Sequence, residues 1–162
     1  MNKQEIYDYL HSRHIWHEIT EHKAVYNMSE ISDLKLPYPA ADAKNLFLRD
    51  DKKQRYYLVT VKGDKKVDLK ALRRKNQTRP LSFATEEELS AILGLYAGAV
   101  SPFGLLNDAA CRACLFIDEA FLEEPALIGV HPNENTATVW LKTRDLIKIV
   151  EEHGSGVQVV KL

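Results

Sequence analysis

The segment Gly98-Ala-Val-Ser-Pro-Phe-Gly-Leu105 separates a strong helical pattern from an apolar run. Its two glycines, Gly98 and Gly104, can take backbone angles that are closed to other residues. Pro102 fixes its own φ and restricts the residue before it. The segment therefore predicts a rigid loop of bare backbone, whose N–H groups suit a carbonyl oxygen or a developing oxyanion. The alternative is an ordinary connector, because Gly and Pro mark most turns.

On both sides of this loop, helical and extended patterns alternate without a regular strand–helix–strand order. Apolar residues at helical spacing predict a first helix over residues 2–14 and later helices that begin at caps or capping boxes: Asn27, Asp68, Thr85 and Thr143. Short apolar runs predict strands over residues 16–20, 44–49, 55–61, 81–84, 113–118, 127–131, 136–141 and 157–162. This mixture predicts an α+β fold, a single domain over residues 1–162 in which helices surround one mixed, curved sheet.

The length and composition fit one folded domain. The chain has 162 residues, enough for a genuine core, and 45% of them are hydrophobic, which argues against disorder. No apolar run approaches the roughly 20 residues that are needed to span a bilayer. The amino terminus is polar and then helical, so we expect no signal peptide, no membrane partner and a cytoplasmic protein.

Basic residues are concentrated in one segment, although the whole chain is nearly neutral. The formal net charge of -1 results from 22 basic and 23 acidic residues. Residues 62–79 contain eight of the basic residues and only two aspartates. Such a segment can contact phosphates, and the alternative is an ordinary solvated helix face.

The two cysteines form the motif Cys111-Arg-Ala-Cys114. A C-x-x-C motif can be a redox pair or half of a zinc site. The chain has no second C-x-x-C to complete a four-thiolate site, and the motif leads into an apolar strand pattern. The favoured interpretation is therefore that one or both cysteines are small buried or half-buried residues, and we expect neither a metal nor another cofactor.

Two further stretches, residues 43–50 and 131–138, carry polar residues suited to catalysis. Lys44 can place a point charge beside a phosphate. His131 can hold a hydroxyl or amino group or act as a general base, and the alternative is a structural histidine before a proline. No arrangement of Ser-His-Asp, Cys-His or paired carboxylates stands out. Ser101 lacks the G-x-S-x-G setting of a nucleophile, so it contributes hydrogen bonding at most.

Taken together, these stretches resemble the YbaK / prolyl-tRNA-synthetase-associated editing domain family, and most closely its free-standing ProX branch. The resemblance is carried in collinear order by residues 22–26, 44–50, 67–69, 81–84, 98–105 and 131–138. Each motif is weak alone, but the ordered set is specific and covers nearly the whole chain. One departure is Lys23, where members commonly have proline after the first histidine of the early motif, and it puts fine specificity in doubt.

The resemblance implies a fold with a barrel-like mixed sheet and an enzyme that hydrolyses mischarged tRNA(Pro). The implied substrate of the ProX branch is alanyl-tRNA(Pro), and the family needs no metal. The implied catalytic residues are Lys44, Gly98 and His131. The implied substrate contacts are Asn45, Ala99, Val100, Ser101, Pro102 and Asn135. We expect His131 to position substrate rather than to act as the base, since no acidic residue is an obvious orienting partner.

Several alternatives remain open at this level. The mischarged amino acid is alanine, or else cysteine, serine, threonine or a non-protein analogue. The pocket that would select it by size is expected near Ala24, Val25, Tyr26, Met28 and Ala99. A non-catalytic module that binds tRNA or a synthetase, and a redox protein that uses Cys111 and Cys114, are alternatives of other classes. The candidate tRNA contacts are Lys66, Lys70, Arg73 and Arg74. The candidate protein partners are prolyl-tRNA synthetase and an elongation factor.

Overall fold

The strands form two sheets that meet at one point. A computed structural model describes residues 1–24, 36–63 and 65–162. Its strands are β1 (His17–Glu21), β2 (Ala43–Asp50), β3 (Tyr56–Lys62), β4 (Leu81–Phe83), β5 (Ala113–Asp118), β6 (Leu127–Val130), β7 (Ala137–Lys142) and β8 (Val157–Val160). Three strands pair in the order β1-β7-β6 and five in the order β4-β2-β3-β5-β8. An isolated parallel bridge between Asp42 and Gly129 links β2 to β6.

The predicted α+β class and mixed sheet are confirmed, with one correction. Strands β2, β3 and β4 pair antiparallel, as do β1, β6 and β7, whereas β5 runs parallel to both β3 and β8. The sheet does not close, so the barrel-like description is wrong. Two open sheets touch at the Asp42–Gly129 bridge instead.

Four α-helices lie in the described part of the chain: α1 (Lys3–Ser12), α2 (Leu69–Asn76), α3 (Glu86–Leu93) and α4 (Thr143–His153). Asp68 caps α2, and the Thr85–Glu88 capping box opens α3, as predicted. Thr143 is not a cap. It is the first residue inside α4, and its hydroxyl donates to the Phe121 carbonyl 2.7 Å away. The predicted capping box at Asn27 lies outside the described residues.

Both sheets contribute to one larger core, and the five-stranded sheet has a second core on its other face. Strand residues such as Phe47, Leu58 and Val139 point into the larger core, which α3 and α4 also line. Alternate residues of β2 and β3, including Leu48 and Val59, point the other way and pack with Leu72 of α2. Because successive strand residues point to opposite faces, the polar neighbours of these residues can be assigned to a face.

Candidate functional site

The turn at Gly98 needs glycine for its backbone. Gly98 has φ +97, in the region that other residues rarely adopt. A Cβ added there would have the Nδ2 atom of Asn135, at 3.6 Å, as its nearest neighbour, so space is available. Gly104 is different, because its φ is ordinary and a Cβ would press into the Leu95 side chain. The predicted special backbone is therefore present at Gly98 and absent at Gly104.

The loop after Gly98 is less bare than predicted. The N–H of Ala99 donates to the Tyr96 carbonyl at 3.1 Å, and residues Pro102–Asn107 form a 3-10 helix. Ser101 caps this helix: its hydroxyl accepts from the Phe103 N–H at 3.2 Å and donates to the His131 carbonyl at 2.5 Å. Ser101 is fully buried, so its hydroxyl ties the loop to the end of β6.

His131 directly follows β6 and is half-buried. Its Nδ1 lies 2.8 Å from the Ala137 carbonyl, which can only accept, so Nδ1 carries the proton and Nε2 has the free lone pair. Burial lowers the pKa of His131; the Ala137 carbonyl raises it and the nearby His22 lowers it again. The orienting partner that was missing from the sequence is therefore a backbone carbonyl, and the imidazole is neutral at neutral pH.

His22 is a site residue to which sequence reasoning gave no role. Its ring meets that of His131 edge to face, with the centroids 6.1 Å apart. Its Nδ1–H donates to the Lys23 carbonyl at 2.8 Å, so Nε2 accepts from the Thr138 hydroxyl at 3.0 Å. Its place at the start of the first motif was the only signal in the sequence. The pocket residues proposed at Val25, Tyr26 and Met28 lie outside the described residues.

Lys44 lies on the same face of the sheets as His131. The Asp42–Gly129 bridge is parallel, so Lys44 and His131 each stand two residues beyond it. Further along the same edge of β2, strand β4 pairs with it only from Leu48 onward. Between the bridge and Leu48 this edge of β2 pairs with no described strand, and we call the space beside this edge and the end of β6 the cleft. Lys44 is exposed at this cleft.

Asn45 leaves β2 on the opposite face from Lys44, because neighbouring strand residues alternate. Its Oδ1 accepts a hydrogen bond of 2.6 Å from the buried Thr60 hydroxyl on β3. The amide NH₂ group then remains as the donor that a substrate oxygen could use. Asn45 thus lies on the face of β2 that packs with the larger core, and Lys44 lies on the other face.

Asn135 and Tyr96 form a clamp beside Gly98. The Tyr96 hydroxyl donates to Asn135 Oδ1 at 3.0 Å and accepts from the Asn135 N–H at 3.3 Å. Asn135 is 3% exposed, and its Nδ2 has no hydrogen-bond partner in the described structure. An unpaired buried donor costs about 1–3 kcal/mol, so this amide is a candidate contact for a bound oxygen atom. Sequence reasoning selected Asn135 and missed Tyr96, whose partner is distant in the chain.

Asp42 completes the polar groups on this face, and sequence reasoning missed it too. It directly precedes β2 and is half-buried. Burial raises the pKa of its carboxyl group from 3.8 to about 6, while the Ala43 N–H and the nearby His22 side chain lower it. Asp42 and His22 are therefore close enough to interact electrostatically.

The predicted tRNA contacts form an exposed basic surface at α2. Lys70, Arg73 and Arg74 lie on the helix and Lys66 just before it, and all four are exposed. None of them forms a salt bridge with another described residue, whereas Lys65 pairs with the buried Asp118. Helix α2 packs on the face of the five-stranded sheet that carries Lys44. The basic surface and the cleft thus share one face.

The cysteines lie apart from this cluster. Cys111 is exposed before β5, and Cys114 is half-buried within β5; both are free thiols. Burial raises the pKa of Cys114 to about 11, the opposite of an activated thiol. Within residues 1–24, 36–63 and 65–162, no three His, Cys, Asp or Glu side chains are grouped to hold a metal ion. No helix in these ranges has the length and apolarity to cross a membrane.

Comparison with known proteins gives one consistent result. The profile of a family described as "Aminoacyl-tRNA editing domain" matches residues 22–149. A prolyl-tRNA editing protein ProX from Acetoanaerobium sticklandii is 39% identical over 160 residues, covering 99% of this chain and 97% of that protein. A prolyl-tRNA synthetase associated domain-containing protein 1 from Bos taurus is 32% identical over 140 residues, 85% of this chain and 81% of that protein.

Solved structures share the fold. A crystal structure described as a candidate trans-editing enzyme for prolyl-tRNA synthetase superposes with a TM-score of 0.70 at 20% identity. The match covers 99% of this chain and 95% of that one. At this identity the likeness concerns the fold alone, and it extends over the whole chain.

Proposed function

Because the chain belongs to the aminoacyl-tRNA editing domain family, we propose that it hydrolyses mischarged tRNA(Pro), with alanyl-tRNA(Pro) as the preferred substrate. The family makes the chain an aminoacyl-tRNA deacylase, an ester hydrolase. The observation that supports the proposal is the contact between the Gly98 loop and the His131 turn: the unpaired Asn135 amide lies next to Gly98, and Ser101 donates to the His131 carbonyl.

The reaction needs a held carbonyl and a placed water molecule. Water adds its oxygen to the ester carbon, the bond from that carbon to the ribose oxygen breaks, and the ribose oxygen takes a proton. The Gly98 turn and Asn135 Nδ2 supply hydrogen-bond donors for the carbonyl oxygen as negative charge develops on it. The His131 Nε2 atom accepts a hydrogen bond from the free ribose hydroxyl and orients it toward the attacking water.

Positively charged residues on the face of the sheet that carries Lys44 bind the end of the tRNA. Lys44 contacts a phosphate of the terminal nucleotide, and Asn45 donates to an oxygen of the bound end from the other side of β2. Ala99, Val100 and Pro102 shape the wall around the amino-acid side chain, with Ser101 holding that wall to β6. The basic surface at α2 contacts the acceptor stem. Prolyl-tRNA synthetase and an elongation factor remain the proposed protein partners.

The choice of alanine follows from size. A synthetase pocket built for proline cannot strongly reject a smaller residue, because missing methylene groups change binding by only about 1–3 kcal/mol. A second site that admits alanine and excludes the proline ring removes this error. Ala99, which follows the Gly98 turn and which we propose as part of the pocket wall, is fully buried.

The test is deacylation of alanyl-, cysteinyl-, seryl-, threonyl- and prolyl-tRNA(Pro) by the purified protein. We expect alanyl-tRNA(Pro) to be hydrolysed fastest and prolyl-tRNA(Pro) to be spared. Faster hydrolysis of one of the other aminoacyl-tRNA(Pro) substrates would support the same reaction with a different amino-acid specificity. No hydrolysis of any substrate would reject the enzyme and favour a module that only binds tRNA.

A matched pair of variants tests the role of Lys44. Lys44→Ala removes the charge at the cleft, and we expect kcat/KM to fall by about 10- to 100-fold, as for the loss of a charged hydrogen bond. Lys52→Ala removes an exposed lysine from the turn after β2 and should leave kcat/KM unchanged. Equal effects of the two changes would refute the assignment.

A further inference from the structure

Asp42 sits where the two sheets join, on the face that carries the catalytic cleft. Its backbone forms the bridge to Gly129, and its carbonyl accepts from the Gly63 N–H at 3.1 Å. Ala43, the next residue, packs into the larger core, so the side chain of Asp42 points to the opposite face. Thr138, whose hydroxyl binds His22, lies on that same face, because its neighbour Val139 also points into the core.

The carboxyl group is held in a partly desolvated position without a direct cation. Neither ring nitrogen of His22 is turned to it, because one donates to the Lys23 carbonyl and the other accepts from Thr138. No salt bridge to another described residue involves Asp42. The raised pKa of Asp42 has the same cause, because no strong interaction offsets the desolvation of its carboxylate. A carboxylate in this state gains strongly from a bound cation, since the cation offsets the desolvation.

The charges along β2 match the charges of an aminoacyl ester. Asp42 and Lys44 leave the strand on the same face, roughly 7 Å apart along it. An aminoacylated tRNA end has an α-ammonium group on one side of the ester and phosphates on the other, and the amine is mainly protonated near neutral pH. With a phosphate at Lys44, an ester that extends along β2 toward the Asp42–Gly129 bridge brings its ammonium group to Asp42.

We propose that Asp42 binds the α-ammonium group of the aminoacyl ester and makes the enzyme selective for esters with a free amino group. This inference rests on the proposed function and adds a specificity-determining residue to it. The ion pair offsets the hydration that the Asp42 carboxylate loses on burial. It also fixes the rotation of the amino acid about its Cα–carbonyl bond. The side chain of the amino acid is thereby turned toward the wall at Ala99.

The experiment compares alanyl-tRNA(Pro) with N-acetylalanyl-tRNA(Pro), which has no ammonium group. We expect the wild-type enzyme to prefer the free amine by at least about tenfold in kcat/KM. Asp42→Asn keeps the shape and removes the charge, so it should slow alanyl-tRNA(Pro) by about 10- to 100-fold and leave the acetylated substrate unchanged. Asp145→Asn, which removes a half-buried carboxylate from α4, should behave as wild type.

A binding measurement separates this inference from the proposed function. The probes are adenosine carrying a 3′-alanylamide or a 3′-propionylamide, which differ only in the amino group and are not hydrolysed as esters. We expect the wild-type protein to bind the alanyl probe more tightly and Asp42→Asn to bind both equally. If the wild-type protein hydrolyses no substrate but shows this binding pattern, the proposed function alone is rejected. An unchanged preference in Asp42→Asn, or an equal loss on both substrates, would overturn the role of Asp42.

Discussion

The carboxyl group of Asp42 opposes folding at neutral pH. The pKa of Asp42 is about 6 when folded and 3.8 in its ordinary state, so between these values the folded chain holds more protons than the unfolded one. Stability from this group therefore falls as pH rises from 4 to 6 and stays low above 6. The cost at neutral pH is on the order of 2–3 kcal/mol. We expect Asp42→Asn to raise the free energy of unfolding by ~1–3 kcal/mol at pH 7.5 and to have little effect at pH 4, as measured in urea. An equal gain at both pH values would show that charge burial is not the cause.

Helix α2 carries the exposed basic surface that we propose as the contact for the body of the tRNA. Lys70 and Arg74 are four residues apart and exposed, so they present one basic edge. Replacing both by alanine should raise KM several-fold, leave kcat unchanged and reduce the dependence of log kcat/KM on log salt by about 0.7–0.9 per lost phosphate contact. Arg144 and Lys148 form an equally spaced, exposed basic pair on α4 and are the matched control. If both double variants change the salt dependence alike, general charge rather than α2 attracts the tRNA.

The joint between the two sheets holds the catalytic cleft together at the scale of the whole molecule. Gly129 bridges to Asp42, and a Cβ at Gly129 would overlap the ring of the fully buried Trp140. We expect Gly129→Ala to lower the free energy of unfolding by about 1–3 kcal/mol, because the indole cannot move in a packed core. Gly156→Ala, where the new Cβ would be 3.5 Å from the Cys114 Cβ, should cost far less. Urea unfolding of both variants is the measurement, and a wild-type stability for Gly129→Ala would show that the joint is loose.

The sequence by itself determined the features that depend on a few neighbouring residues. Capping chemistry located α2 and α3, and the apolar run 113–118 has the bounds of β5. The special backbone of Gly98 followed from residue type alone. Such signals are readable because propensities, caps and turns are set by local dihedral angles and hydrogen bonds.

Only the tertiary structure decided which distant residues share the cleft. The edge-to-face contact of His22 with His131 joins residues that follow two separate strands, β1 and β6, and the Tyr96 clamp on Asn135 spans two loops. The buried setting of Asp42 exists only because β6 lies against the start of β2. Strand order, parallel pairing and burial result from long-range packing, in which many segments compete for the same partners, so no local pattern specifies them.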